Sequence, residues 1–176
     1  DIRQFQSIIN NNKYNSIIYG CGVDINFTSI EILKFLLKQP CNLVLDASIF
    51  TIIQENRNDF ISLLQFRSNE TIMTPHAGEF KRIFTTTNNK INDCLVAAKE
   101  TNSVIVYKGN DTVIGTPEGK AIINSYSTPY LATAGSGDVL AGLMGGFLSQ
   151  NLNAIKSAQL SCFIHSQCGI NLGKGL

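Results

Sequence analysis

Short apolar runs alternate with helical patterns along almost the whole chain, and this alternation restricts the fold more than any other feature. "SIIYG" (Ser16 to Gly20) predicts a buried strand closed by a turn. "SIEILKFLLKQ" (Ser29 to Gln39) predicts a helix with Ile32, Leu33, Leu36 and Leu37 on one face, ended by Pro40. "CNLVLDA" (Cys41 to Ala47) is a second strand with an acid at its C-terminal edge. "RNDFISLLQF" reads as a helix, "ETIMTP" as a third strand, and "AGEFKRIF" and "NDCLVAAKET" as two more helices. "SVIVYKG" (Ser103 to Gly109) is a fourth strand, and "TVI" and "KAII" form a hairpin through "TPEG". From Ser136 onward the pattern is largely helical. The Asn-rich "NNNKYN" before the first strand reads as a surface turn. Strands separated by helices imply a layered α/β domain with a mainly parallel sheet. In such sheets ligands gather at the C-terminal strand edges. Gly20-Cys21-Gly22, Asp46, Thr74-Pro75-His76 and Lys108-Gly109 all stand at such edges.

Composition removes several function classes. Fourteen basic side chains face thirteen acidic ones, for a net charge of +1 in 176 residues. A nucleic-acid-binding face needs a denser basic surface than that. No apolar run approaches a membrane span, and no signal peptide is visible. The first residue is Asp1, so upstream sequence is expected to have been removed. The five cysteines form no CxxC pair. This favours reduced thiols in a cytoplasmic protein over a disulfide framework or a zinc site. Cys162 and Cys168 fall in an apolar helical stretch and are expected to be buried.

The sharpest local signal is "LATAGSGDVLAGLMGGFLSQ" (Leu131 to Gln150). Small residues lead directly into a carboxylate, Asp138, at the mouth of a helix. That helix is expected to bury Val139, Leu140, Leu143 and Phe147, with Gly142, Gly145 and Gly146 offering a flat side. The N–H groups of a helix's first turn lack intrahelical partners and, with the dipole, attract anions. An acid there would repel the anion, unless it takes a proton from a hydroxyl that attacks phosphorus. In the other reading, Ser136 caps the helix and Asp138 favours its positive end. Both readings stand on this stretch alone. "GTPEGKA" is one residue short of a Walker loop and has Ala121 where Ser or Thr is needed. "GCGVDI" lacks the third glycine of a dinucleotide fingerprint.

Taken together, "TPHAGEFKRIF", "VYKGNDTVI" and "LATAGSGDVLAG", with "GCG" and "LVLDAS" before them, resemble the ADP-dependent NAD(P)H-hydrate dehydratase family. The resemblance runs from about Ser16 to the end, including the closing "AQLSCFIHSQCG". It implies a ribokinase-like three-layer α/β/α fold with a mainly parallel sheet, as a single domain over residues 1–176. It implies a repair reaction. ADP phosphorylates the C6 hydroxyl of the S-form of hydrated NADH or NADPH, phosphate is then lost, and the ring is restored as AMP and phosphate leave.

By residue, the resemblance makes Asp138 the catalytic acid, in contact with substrate. Gly135, Ser136 and Gly137 would form the anion hole. Lys108, Gly109, Asn110, Asp111 and Thr112 would be the nucleotide loop, with Gly137 also touching the nucleotide. Gly22 and His76 would contact the substrate. The family works with Mg2+, and Glu79 is the candidate for indirect, water-mediated support of it. The implied partners are hydrated NADH or NADPH and ADP, with a functional link to NAD(P)H-hydrate epimerase and a homo-oligomer left open. Taken singly, each residue has a plainer reading. His76 and His165 would be structural hydrogen-bonders, Lys108 a solvated lysine, Glu79 a neighbour of Lys81 or Arg82, and Asp46 a turn former.

The chain departs from the family in two places. The glycine turn is usually close to GPGLG and here reads "GCGVD", and Ser48 follows "DA" where a second acid is usual. Family domains also carry further sheet strands before Ser16, so the chain is expected to be an N-terminally shortened piece or a reduced form. Two other functions stay open at this point. One is a different ribokinase-like kinase, of the hydroxymethylpyrimidine or hydroxyethylthiazole type. The other is a catalytically silent nucleotide-binding module.

Overall fold

The computed structural model describes residues 2–10 and 14–173. The centre of the expected Asn-rich turn, residues 11–13, lies outside the described residues. Among the described residues six strands form one sheet in simple sequence order: β1 (Ser16–Tyr19), β2 (Asn42–Leu45), β3 (Thr71–Met73), β4 (Val104–Tyr107), β5 (Thr112–Gly115) and β6 (Ala121–Asn124). Strands β1 to β4 run parallel, and the β4–β5 and β5–β6 pairings are antiparallel. The helices are α1 (Ile2–Asn10), α2 (Phe27–Leu36), α3 (Ser48–Glu55), α4 (Arg57–Gln65), α5 (Ala77–Ile83), α6 (Lys90–Thr101), α7 (Ser136–Ser149) and α8 (Ala154–Leu172).

Side chains of a strand alternate between faces, and here each face meets its own helical layer. Leu43, Leu45, Met73, Ile105 and Val113 join a core built with α2 to α6, anchored by Phe50, Phe60 and Phe80. Val44, Ile72, Val104, Val106 and Ile114 point the other way, into a second core covered by α7 and α8. The result is the expected three-layer α/β/α arrangement with a mainly parallel sheet.

Helix α7 is seated one residue away from the expected stripe. It buries Leu140, Ala141, Met144, Gly145 and Leu148, while Val139 is 58% exposed. The contact is made through small residues, which bring the helix close to the sheet. A Cβ on Gly145 would lie 2.6 Å from Ile18 Cγ1. Gly142 and Gly146 face open space, so the expected flat side is reduced to Gly145. Cys162 is buried as expected, but Cys168 is exposed, because it turns to the outer side of α8.

Arg67 is almost fully buried and spends its guanidinium on backbone. Nη1 donates to Leu36 O (3.1 Å), Leu37 O (2.8 Å) and Gln39 O (3.3 Å), and Nη2 donates to Cys41 O. Nε donates to Thr71 Oγ1 at 2.9 Å. One side chain thereby gathers the carbonyls of the α2–β2 connection, of which Leu36 O also accepts from Gln39 N at 3.0 Å. Its burial pulls the guanidinium pKa downward. This stitch lies at the N-terminal ends of the strands, away from the edge where the sequence signals converge.

Candidate functional site

At the C-terminal edge of the parallel strands the chain turns after β1 through Gly20, with φ of +129°. A Cβ there would stand 1.8 Å from the Asp46 carbonyl oxygen. Only glycine lets the two strand ends lie that close, and the approach brings Cys21 to Asp46. The Cys21 Sγ lies 3.9 Å from Asp46 Oδ2. One donor atom each of Cys21, Asp46 and Asp138 lies within 4.8 Å of the others. Asp46 is 2% exposed, and its other oxygen accepts a bond from Lys108 Nζ at 2.8 Å. Burial, then the bond to Asp138, then the charges of Asp46 and Asp138 push the Cys21 thiol up to about 12, against the opposing Lys108. Cys21 is therefore a protonated thiol beside two carboxylates, not a nucleophile.

Helix α7 delivers the next part. Its N-cap is Gly135 in the left-handed conformation, without a side-chain cap bond. Ser136 is thus the first helical residue and not the cap that one sequence reading made it. Its N–H donates to Thr133 O at 3.3 Å. Its hydroxyl meets His165 Nε2 at 3.1 Å. A Cβ on Gly137 would sit 3.6 Å from Lys108 Nζ and 3.7 Å from Asp46 Oδ2, so this backbone faces the ion pair. Asp138 follows on the first turn and is exposed.

A cavity of about 530 Å³ opens beside this turn, within the range of small-molecule sites. His76, Lys108, Gly109, Asn110, Thr112, Ser136 and Gly137 all line it, joined by Asn124, Tyr126, Leu131, Cys162 and His165. The cavity thus gathers most of the residues expected from sequence. Gly22, Glu79, Asp111, Gly135 and Asp138 do not line it. Asp138 instead follows Gly137, which lines the cavity, and meets Cys21 and Asp46, which do not. Gly22 sits in the turn after β1 with φ of +66° and open space around it.

Asp111 is held by Lys90 Nζ at 2.9 Å, a bond that keeps its carboxyl below the usual carboxylate range. It shapes the β4–β5 loop from outside. Inside that loop Thr112 Oγ1 accepts from Gly109 N and donates to Gly109 O.

His76 and Glu79 form a reciprocal cap on α5. His76 Nδ1 accepts from the N–H groups of Gly78 (3.0 Å) and Glu79 (3.2 Å), and Glu79 Oε2 accepts from His76 N at 2.8 Å. Glu79 Oε1 lies 3.3 Å from His76 Nε2. The imidazole therefore carries its proton on Nε2, since Nδ1 is an acceptor twice over. Both Glu79 oxygens face His76.

Cys21, Asp46 and His165 acquire places here that sequence reasoning did not assign. Asp46 carries the ion pair with Lys108, and His165 reaches the first turn of α7. The strand-edge position of Asp46 was a usable signal. His165 had none, because its partner lies 29 residues away.

The chain matches the family model described as NAD(P)H-hydrate dehydratase over residues 2–175. A bifunctional NAD(P)H-hydrate repair enzyme Nnr of Moorella thermoacetica is 41% identical over 156 residues, covering 85% of this chain and 29% of that protein. An ADP-dependent (S)-NAD(P)H-hydrate dehydratase of Xanthomonas campestris is 29% identical over 166 residues, covering 91% of this chain and 54% of that one. The ADP/ATP-dependent NAD(P)H-hydrate dehydratase of Bacillus subtilis, co-crystallised with ATP/Mg2+ and soaked with CoA, superposes with a TM-score of 0.71 at 26% identity, over 90% of this chain and 57% of its own. The chain therefore spans about a third to just over half the length of these relatives. Among the described residues no helix is long and apolar enough to cross a membrane.

Proposed function

The chain belongs to the NAD(P)H-hydrate dehydratase family and has its ribokinase-like fold, and from that premise we propose that it dehydrates the S-form of hydrated NADH or NADPH at the expense of ADP. The observation that carries this reading is the placement of Asp138. It stands exposed one residue past Gly137, whose backbone faces Lys108 and Asp46, beside a cavity of about 530 Å³.

Asp138 orients the C6 hydroxyl and accepts its proton as the oxygen attacks the β-phosphorus of ADP. The P–O bond to AMP breaks as the new P–O bond forms. Loss of a proton from C5 and of phosphate from C6 then regenerates the ring double bond. Hydroxide is a poor leaving group and phosphate a good one, which is the reason to spend a phosphoryl group. The first turn of α7, with Gly135, Ser136 and Gly137, cradles the travelling anion. Lys108 balances its charge as a point cation. The Lys108–Thr112 loop holds the nucleotide, while Gly22 and His76 stand on the side of the hydrated nicotinamide.

Magnesium, when bound, neutralises charge on the nucleotide phosphates. The oxygens of Asp46 and Asp138 suit it, since Mg2+ takes one or two carboxylates and keeps several waters. The thiol of Cys21 does not suit it. Glu79 belongs to the cap of α5, and the metal role passes from it to these two acids. We read the chain as one domain of a cytoplasmic enzyme that works alongside an epimerase of the hydrated cofactor.

The test is incubation of the purified protein with ADP, magnesium and S-hydrated NADH. AMP, phosphate and reduced nicotinamide absorbance are expected to appear in equal amounts. A stable phosphorylated product, or ADP bound without turnover, would overturn the reading.

A further inference from the structure

His165 sits on α8, half-buried, on the wall of the cavity that also holds Ser136, Gly137 and Lys108. Its Nε2 lies 3.1 Å from the Ser136 hydroxyl. Ser136 has already used its N–H on Thr133 O. The hydroxyl is the polar group it has left to offer an anion at the first turn of α7. A hydroxyl carries one hydrogen. If that hydrogen points at His165, the oxygen turns lone pairs toward the cavity and repels a phosphate. If His165 donates instead, the hydroxyl hydrogen is released toward the cavity. The direction of this one bond therefore decides whether Ser136 helps or hinders anion binding.

We infer that His165 is a positioning residue for the nucleotide site: its Nε2–H donates to Ser136 Oγ, and Ser136 O–H then donates to a phosphoryl oxygen of ADP. The inference rests on the proposed nucleotide role of the cavity. Burial above all, with the positive Lys108 acting the same way and a backbone contact to Ser136 opposing, lowers the His165 pKa. The ring is thus neutral near pH 7, and a neutral ring must choose one nitrogen for its proton. An anion at the α7 terminus selects the Nε2–H tautomer, because only that form lets the hydroxyl face it. His165 itself touches no reactant in this scheme. It contributes by fixing the hydroxyl before the anion arrives.

The test is calorimetric titration with ADP of the parent protein and of His165→Leu, His165→Gln, Ser136→Ala and the Ser136→Ala/His165→Leu pair, with thermal melts to check folding. One neutral hydrogen bond predicts roughly three- to tenfold weaker ADP binding in His165→Leu. The amide nitrogen of Gln reaches the position of Nε2, so His165→Gln should recover most of the loss. In the Ser136→Ala background the Leu substitution should change nothing more. Equal affinity of the parent and a folded His165→Leu, no recovery by Gln, or independent losses at the two positions would each overturn the inference. Should His165→Leu not fold, the His165 ring 15N shifts on ADP addition decide the matter. They should move in the parent and stay still in Ser136→Ala, and equal movement in both overturns the inference. Failure of the parent itself to bind ADP overturns the nucleotide reading, and the inference with it, and is told apart by that first titration.

Discussion

Lys108 Nζ stands 2.8 Å from Asp46 Oδ1, joining the end of β4 to the end of β2 across 62 residues of sequence. Asp46 is nearly fully buried, whereas the Lys108 side chain keeps 20% of its surface exposed. The acid is thus the fixed partner, and the lysine is the group free to lean toward an incoming phosphate.

Lys108→Ala leaves that buried carboxylate without its cation. Removing one partner of a buried pair costs about 3 kcal/mol at the lower end of the usual range, the end suited to a partly exposed lysine. Chemical denaturation should show this loss, and calorimetry should show weaker ADP binding. The Lys108→Met/Asp46→Asn pair should regain most of the stability and none of the affinity. Full ADP affinity in Lys108→Ala would remove the lysine from the nucleotide site.

Asp138→Asn keeps the shape of the first turn and removes the base. Turnover of hydrated cofactor should fall by at least about a hundredfold, as expected for loss of general base catalysis. ADP affinity measured without magnesium should stay close to that of the parent. Turnover measured by phosphate release and equal to the parent's would refute the assigned role.

Gly20 and Gly22 both have positive φ but differ in their surroundings. Gly20→Ala forces a Cβ against the Asp46 carbonyl and Ile49, at a cost of about 3 kcal/mol or more. Gly22→Ala meets open space and bears only the left-handed backbone penalty, about 1 kcal/mol. Urea unfolding of the two variants should separate them in that order.

Arg67→Met strands the carbonyls of Leu37, Gln39 and Cys41 and leaves Leu36 O with the N–H of Gln39 alone. A loss of about 3 kcal/mol is expected, seen as a drop of roughly 10 °C in Tm. ADP affinity should not change, because Arg67 lies at the opposite sheet edge.

The lowered His165 pKa gives stability a defined pH dependence. The folded protein holds the ring neutral at pH values where the unfolded chain already protonates it, so the unfolded state binds more protons. The contribution is whole above the ordinary histidine value of 6.5. It declines as pH falls below that value and is gone once pH passes the lower folded value. Lys108 is the charged neighbour bearing on the ring. Tm measured against pH should fall less steeply below pH 6.5 in His165→Gln than in the parent. Superimposable profiles would contradict the assignment.

The strands and most helices were legible because their apolar residues repeat at helical or extended spacing and end at Gly, Pro or polar residues. Helix α3 was not legible. It follows β2 with no side-chain cap bond, through Ala47 at a φ of +52°, so no start signal marks it. Its Ile49, Phe50, Ile52 and Ile53 are all buried and read as a mere apolar run. Helix α7 was legible as a helix but not in its orientation, because the small residues Ala141 and Gly145 are on its buried face and apolar size points elsewhere. Within the site, single residues at strand ends were visible, but their pairings were not. The Lys108–Asp46 and Ser136–His165 contacts are products of topology, and the separate motifs of the chain do not encode them.

The layering described for the sheet also has a consequence for biosynthesis. One face of the sheet is clothed by helices that emerge between the strands, so it can consolidate while the ribosome is still working. The other face waits for Ser136–Leu172, which supply α7 and α8 together. Until those residues leave the exit tunnel, Val44, Ile72, Val104 and Val106 have no cover and the phosphate cradle does not exist. A nascent chain halted before them would expose a bare apolar sheet, the kind of surface that chaperones bind, and would gain nothing from ADP in the surrounding medium.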